Sequence, residues 1–257
     1  MRILVTGGAG YLGSEVARQA VAAGHDVLAT QLQHASPHGC ALRLDLRDDD
    51  AVHRAFLKHG PDVVVHTAYR QGDEALADDV VRASRNVALA AHRVEARLLN
   101  LSTDLVFDGE HGAPYREEDE PRPVSAYGQA KLEAEHLVAE LHPQALTVRT
   151  SLLYGKVEPG PQELLAANAD ATFYEDEIRC PTRVGQLAAA LLELAARDER
   201  GILHVAGPKA VSRLEFAGLL GAVDPRGVPA PPGRARNVAL DSCRAISLLS
   251  APVSGIA

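Results

Sequence analysis

A doubly wound α/β fold, a parallel sheet covered by helices on both faces, is predicted by three observations. Short, nearly all-apolar runs alternate with helical patterns through the first 150 residues. A glycine-rich turn joins the first such run to the first helical pattern. The chain, 257 residues at 46% hydrophobic, is also long and apolar enough to bury a full core. Strands that are apolar throughout are buried on both faces, and the intervening helices supply that cover.

The strands are RILVTGG, GHDVLAT, CALRLDL, PDVVVHTA, ARLLNLST and LTVRTSLLYG. Between them lie the helical stretches SEVARQAVAAG, DDAVHRAFLKHG, EALADDVVRASRNVALAAHRV and SAYGQAKLEAEHLVAEL, each with apolar residues spaced at three and four. After Tyr154 the rhythm changes. GKVEPGPQ breaks the chain, acidic YEDE follows, then a helix at RVGQLAAALLELAARD, a strand at GILHVAG and a helix at SRLEFAGLLGAV. DPRGVPAPPGRAR is a loop by composition. The expected organisation is a main domain over residues 1–150 and a smaller region over 151–257, with the GILHVAG strand able to return to the main sheet.

Composition excludes more partners than it names. The longest apolar runs, such as LAAALLELAA from Leu187, stop short of the roughly 20 residues that a bilayer span needs. MRILVTGG enters a strand at once, without an apolar signal region, so a cytoplasmic location is expected. Cys40, Cys180 and Cys243 lie far apart with no metal or disulfide spacing, and no metal ligand set is assigned. A net charge of −8 without a basic cluster argues against a nucleic-acid surface, yet a helix start can still bind a small anion.

VTGGAGYLGSEVARQA places Gly7, Gly10 and Gly13 between a strand and a helix. Glycines there allow the tight turn, admit backbone N–H groups to a pyrophosphate and let the helix pack closely. At the first strand–helix junction of a βαβ unit this G-x-x-G-x-x-G spacing points to dinucleotide binding in a Rossmann-type domain. At the end of the second strand, where an acid would hold the ribose 2′-hydroxyl of NAD, stand neutral Thr30 and Gln31. The pair leans toward NADPH and leaves NADH open. Asp45 and Leu46 end the third strand, where such folds hold adenine; Asp45 could instead cap the helix after it.

VSAYGQAKLEAE sets Tyr127 four residues before Lys131 on one helix face. A nearby ammonium favours phenolate and moves a tyrosine from about 10 toward working pH, making Tyr127 a proton donor to a carbonyl being reduced. Thr103, at the carboxyl end of a strand, points into the crevice where ligands of open α/β sheets bind and can hydrogen-bond a substrate oxygen. Lys131 can also hold the nicotinamide ribose.

With TGGAGYLG, STDLVFDG, PYREEDEPRPVSAYGQAK, RTSLLYG, CPTRVGQLA, GILHVAG and RARNVALDS in this order, the chain resembles the extended short-chain dehydrogenase/reductases, and among them the dTDP-4-dehydrorhamnose reductase-like family. The resemblance implies an NAD(P)H-dependent reduction of the 4-keto group of a nucleotide-linked 4-keto-6-deoxyhexose. It implies Thr103, Tyr127 and Lys131 as the catalytic triad and Gly7, Gly10, Tyr11, Leu12 and Gly13 as the cofactor turn. Asp45 and Leu46 match its adenine contacts, Ala68 and Tyr69 its fourth-strand cofactor loop, and Thr103 and Val106 its sugar contacts. A homodimer is a further expectation from the family. Departures are Leu152 where an aromatic wall of the sugar site is usual, Val80 for an asparagine, Cys-Pro-Thr at 180–182, and a short stretch between Lys156 and Asp176.

Two rival functions use the same scaffold. A non-catalytic dinucleotide-binding regulator, like the beta subunit of methionine adenosyltransferase, would suit the short 156–176 stretch and Leu152 but not the intact triad. An epimerase or dehydratase would call on Asp104 as an acid/base group. His66 is expected as a core or sheet-edge histidine, and REEDE as a solvated loop.

Overall fold

A computed structural model describes residues 1–69, 77–156, 158–253 and 256. Along the chain run β1 (Arg2–Thr6), α1 (Tyr11–Ala22), β2 (Asp26–Gln31), β3 (Cys40–Arg43), α2 (Asp49–His59), β4 (Val63–His66), α3 (Ala77–Arg93) and β5 (Arg97–Thr103). Then come α4 (Ala126–Leu141), β6 (Leu146–Thr150), β7 (Leu153–Tyr154), α5 (Pro161–Ala166), β8 (Thr172–Tyr174), β9 (Ile178–Arg179) and β10 (Thr182–Arg183). The last are α6 (Val184–Ala195), β11 (Gly201–His204), β12 (Val211–Ser212), α7 (Arg213–Leu219), β13 (Arg226–Val228) and α8 (Cys243–Leu248).

The main sheet has seven strands in the order β11-β6-β5-β4-β1-β2-β3. Its run β3-β2-β1-β4-β5-β6 is the Rossmann order, with the strand direction of travel reversing between β1 and β4. The pairings from β3 through β5 are all parallel. GILHVAG supplies β11, the edge strand beside β6. Expected strand CALRLDL ends early, at Arg43, and LTVRTSLLYG divides into β6 and β7.

The chain folds into two compact units, each drawn from three stretches: Met1–Ser102, Ala130–Val148 and Ala188–Ile202 in the first, Thr103–Gln129, Arg149–Leu187 and Leu203–Ala257 in the second. Passage near residue 150, where one boundary was expected, is one of several crossings.

In the first unit, Leu4, Leu28, Val64 and Leu98 form one in-register row across β2, β1, β4 and β5. They pack with Val52 and Phe56 of α2 and Val87, Ala88 and Ala91 of α3. Helix α1 packs on β1 and β2 and buries Val16, Ala17 and Ala20. Asp48, not Asp45, caps α2 by accepting from Ala51 N at 2.9 Å.

The second unit has short paired strands, β7 with β10, β8 with β13 and β9 with β12, of which β13 lies in the stretch read as a loop by composition. One tie is a knot around Tyr115. Its hydroxyl donates to Asp108 Oδ1 at 2.6 Å and accepts from the backbone N–H groups of Gly109, Glu110 and His111, while its ring stacks on Phe107 at 4.1 Å between centroids. Part of the acidic REEDE run is anchored too, since Glu117 accepts from His204 N at 3.1 Å. Among the described residues no helix is long and apolar enough to cross a membrane.

Because Phe56 is wholly buried against this core, Phe56→Ala should cost about 3–5 kcal/mol through lost burial and the cavity left behind. Urea unfolding checks it; a midpoint close to wild type would contradict the packing.

Candidate active site

Within the first unit the glycine turn has the shape a dinucleotide cradle needs. Gly7 lies in the left-handed region at φ +67°, and a Cβ there would stand 2.9 Å from Ala68 Cα. A Cβ on Gly13 would collide with the Gly7 carbonyl oxygen and lie 2.7 Å from Thr67 Oγ1, so only glycine lets α1 start this close to β1. Gly10 caps α1; Tyr11 is half-buried at its first position and Leu12 is buried.

The other expected cofactor residues of this unit lie around strand ends. Thr30 is buried, its Oγ1 accepting from Gly7 N at 3.3 Å. Gln31 folds back so that its Oε1 accepts from Ser36 N at 2.7 Å, and Ser36 Oγ donates to the Gly8 carbonyl at 2.9 Å. Asp45 is engaged by Arg47, whose Nη2 lies 2.7 Å from Oδ2, and Arg47 also reaches Asp79 at 3.1 Å. Leu46 is buried, and its carbonyl accepts from Asn86 Nδ2 at 3.0 Å. Ala68 N donates to Thr6 Oγ1 at 3.1 Å, and Tyr69 is 46% exposed.

Lys131 is only 6% exposed, and its Nζ donates to the Leu101 carbonyl at 2.6 Å. Burial lowers its pKa to about 8, opposed in part by Glu135. Its charge acts on a buried neighbour: burial first, and then Lys131, bring His66 down to about 3. Thr6 Oγ1, which accepts from Ala68 N, is hydrogen-bonded to His66 Nδ1 at 2.7 Å, and His66 Nε2 to Ser84 Oγ at 3.1 Å, so the neutral ring is held at both nitrogens. His66 is thus a core histidine that also ties the end of β1 to the loop carrying Ala68.

In the second unit, Thr103 is buried at the end of β5. Its Oγ1 donates to Asp104 Oδ1 at 3.1 Å and accepts from Leu105 N at 3.2 Å. Asp104 has no exposed surface, and Arg179 clamps both its oxygens, Nε reaching Oδ2 at 2.7 Å and Nη2 bonding Oδ1. Ser151 Oγ donates to Oδ2 at 2.5 Å. Arg179 continues to Glu177 at 3.3 Å, and Glu177 to Arg234 at 2.7 Å.

Tyr127 is half-buried on the first turn of α4. That turn rests on the Thr103 segment, because Gly128 lies where any Cβ would strike the Leu105 carbonyl oxygen. Val106 is fully buried. Leu152 is half-buried and packs on the cluster of Tyr154, Val211 and Phe216. Asp104, expected as an acid/base group in a dehydratase, is sealed and fully bonded, which removes it from that role. Sequence reasoning missed Arg179, Ser151, Glu177 and Gly128. Only the glycine between Tyr127 and Lys131, a poor helix former with no local purpose, carried a signal.

A family model described as RmlD substrate binding domain matches residues 1–224. A dTDP-4-dehydrorhamnose reductase of Mycolicibacterium smegmatis is 35% identical over 230 residues, covering 84% of this chain and 67% of that protein. Methionine adenosyltransferase 2 subunit beta of Bos taurus is 31% identical, over 84% of this chain and 70% of that one. A crystal structure of a hypothetical dTDP-4-dehydrorhamnose reductase from Sulfolobus tokodaii superposes with a TM-score of 0.87 at 28% identity, covering 99% of this chain and 97% of that one.

Two measurements follow from the first unit. Gly13→Ala should abolish detectable dinucleotide binding by calorimetry while leaving the far-UV spectrum intact; unchanged affinity would remove the cradle. For His66, the unfolded chain takes up a proton below its ordinary 6.5 that the folded chain refuses down to about 3. Stability is therefore lost as pH falls below about 6.5, with up to about 1.4 kcal/mol per pH unit from this group. His66→Gln should unfold with a shallower acid dependence than wild type in urea titrations at pH 7 and 5, and equal slopes would refute the assignment.

Proposed function

The chain belongs to the RmlD substrate-binding domain family, and from that premise we propose that it is an NAD(P)H-dependent reductase of a nucleotide-linked 4-keto-6-deoxysugar. The observation that carries this reading is the arrangement on α4: Lys131, buried, follows half-exposed Tyr127 by one turn. The mycobacterial relative named for that reaction supports it.

A nicotinamide dinucleotide fits the glycine turn, because the space that Cβ atoms at Gly7 and Gly13 would fill is kept clear beside the start of α1. Bound there, it would supply a hydride. Gly7, Gly10 and Gly13 would hold its pyrophosphate, Asp45 and Leu46 its adenine, Ala68 and Tyr69 the nicotinamide side, and Lys131 the ribose. No carboxylate stands at Thr30 or Gln31 to repel a 2′-phosphate, which supports NADPH over NADH.

Tyr127 gives its proton to the substrate oxygen as that oxygen gains negative charge. Lys131 steadies the phenolate left behind, since a cation one helical turn away favours the charged form. With its pKa at about 8, Lys131 is mostly protonated at neutral pH and can fill this role.

Tyr127→Phe should lower turnover of dTDP-4-dehydrorhamnose at least about a hundredfold while NADPH affinity stays within a few-fold. Near-normal turnover would refute Tyr127 as the acid. Wild-type protein that binds NADPH yet oxidises it with none of a panel of keto-sugar nucleotides would instead support the regulatory role suggested by the likeness to the adenosyltransferase subunit.

A further inference from the structure

Helix α3 holds the turn that follows β3 from two places. Asn86 is 2% exposed, and its Nδ2 donates to the Leu46 carbonyl at 3.0 Å. A backbone carbonyl only accepts, which fixes the direction of the Asn86 amide; its Oδ1 faces a donor, Arg85 Nη1, at 3.3 Å. On the other side of the same Leu46–Arg47 peptide, the Arg47 N–H donates to Asp45 Oδ1 at 3.0 Å. The C=O and N–H of a trans peptide point opposite ways, so this plane is pinned by α3 on one edge and by the Asp45 carboxylate on the other. Arg47 closes the arrangement with its side chain: Nε lies 2.9 Å from Asp45 Oδ1, Nη2 2.7 Å from Asp45 Oδ2, and Nη1 3.1 Å from Oδ2 of Asp79 on α3. The Asp45 carboxylate, although partly exposed, is thereby gripped on both oxygens.

We infer that Asn86 and Arg47 are positioning residues for the adenine end of the coenzyme, Asn86 by holding the Leu46–Arg47 peptide and Arg47 by holding the Asp45 carboxylate. This rests on the coenzyme half of the reductase reading, which puts adenine beside Asp45 and Leu46. An ionised carboxylate only accepts hydrogen bonds, so what it reads on a purine is a donor, the 6-amino group of adenine. Hypoxanthine carries an oxygen at that place, and its lone pairs would face those of the carboxylate. A carboxylate already held in one orientation need not be ordered when the ligand arrives, which preserves both affinity and the preference for the amino group. With an apolar side chain at position 86, the Leu46 carbonyl loses its buried donor and the peptide is released to turn. The N–H that anchors Asp45 Oδ1 turns with it. Both residues thus act through Asp45.

Calorimetry of the full chain with NADPH and with its hypoxanthine counterpart, which differ in the group at purine position 6, tests this without turnover. Wild type should bind NADPH about tenfold more tightly, the worth of one hydrogen bond. In Asn86→Leu the dissociation constant of NADPH should rise about tenfold and that of the hypoxanthine dinucleotide less than about threefold, so that the preference nearly disappears. A general loosening of the fold would weaken both alike. Arg47→Ala should narrow the preference about threefold with a thermal midpoint close to wild type, because partly exposed ion pairs add little stability, and it decides the matter alone if Asn86→Leu does not fold. In Asp45→Ala the preference should be absent, and neither substitution should change it further. Equal affinities in wild type, equal losses for the two dinucleotides, or a preference that still shifts in the Asp45→Ala background would each overturn the inference. A wild type that binds neither dinucleotide removes the reductase reading and this inference together. One that shows the expected preferences yet reduces no keto-sugar nucleotide removes the reductase reading and leaves the inference standing.

Discussion

The pairing of Arg179 with Asp104 is the interaction on which the second unit depends. Taking two charges out of water is costly, and a buried ion pair persists only where every remaining donor and acceptor is satisfied. Here they are: the carboxylate takes two hydroxyls beside the guanidinium, and the guanidinium extends to Glu177. The same satisfaction that lets the pair survive burial holds Thr103 and Ser151 against it. Arg213 senses the crowding of charge at this spot, its pKa lowered to about 10 by burial and then by Arg179, and burial pushes the neighbouring Cys180 thiol up to about 11. The thiol therefore stays protonated at neutral pH and packs as a small apolar group.

The first unit also buries a cation. Lys131 is buried and donates to the Leu101 carbonyl, and the groups near it are arranged to tolerate its charge: Glu135 favours it, and His66 remains neutral. A second cation at His66 would repel Lys131 in a low-dielectric interior, so the Thr6–His66–Ser84 chain carries hydrogen bonds without carrying charge. Thr6 both ends a central strand and holds Ala68, which presses against Gly7.

Much of this was legible in the sequence. The strands from β1 to β5 and the helices α1 to α4 follow from apolar runs and three–four spacing, because that pattern is what a covered parallel sheet imposes. The glycine turn was legible because its neighbours leave no room for side chains. What could not be read was the second unit's framework. Strands of two or three residues carry no period, and Asp104 and Arg179 are 75 residues apart with nothing local to pair them. Asp48 displaced Asp45 as the cap of α2 because three consecutive aspartates gave spacing no means of choosing, whereas Arg47 had already drawn Asp45 aside.

The block from Ser102 to Lys131 carries scaffold residues beside those expected to do chemistry. Phe107, Asp108 and Tyr115 build a loop knot, and Gly128 admits the Leu105 carbonyl. These residues hold the loop and the start of α4 in place in this chain, whether it reduces a sugar or only binds a dinucleotide. The catalytic role that the resemblance implies falls to Thr103, Tyr127 and Lys131, and the state of Asp104 bears on the dehydratase alternative. A dehydratase needs a carboxyl group free to exchange a proton with its ligand; one whose oxygens are filled by Arg179, Ser151 and Thr103 cannot exchange without dismantling its own support. The two oxygens that are closed to a ligand in this way are the ones on which Thr103 and Ser151 rest, so the ion pair with Arg179 serves the packing of the second unit.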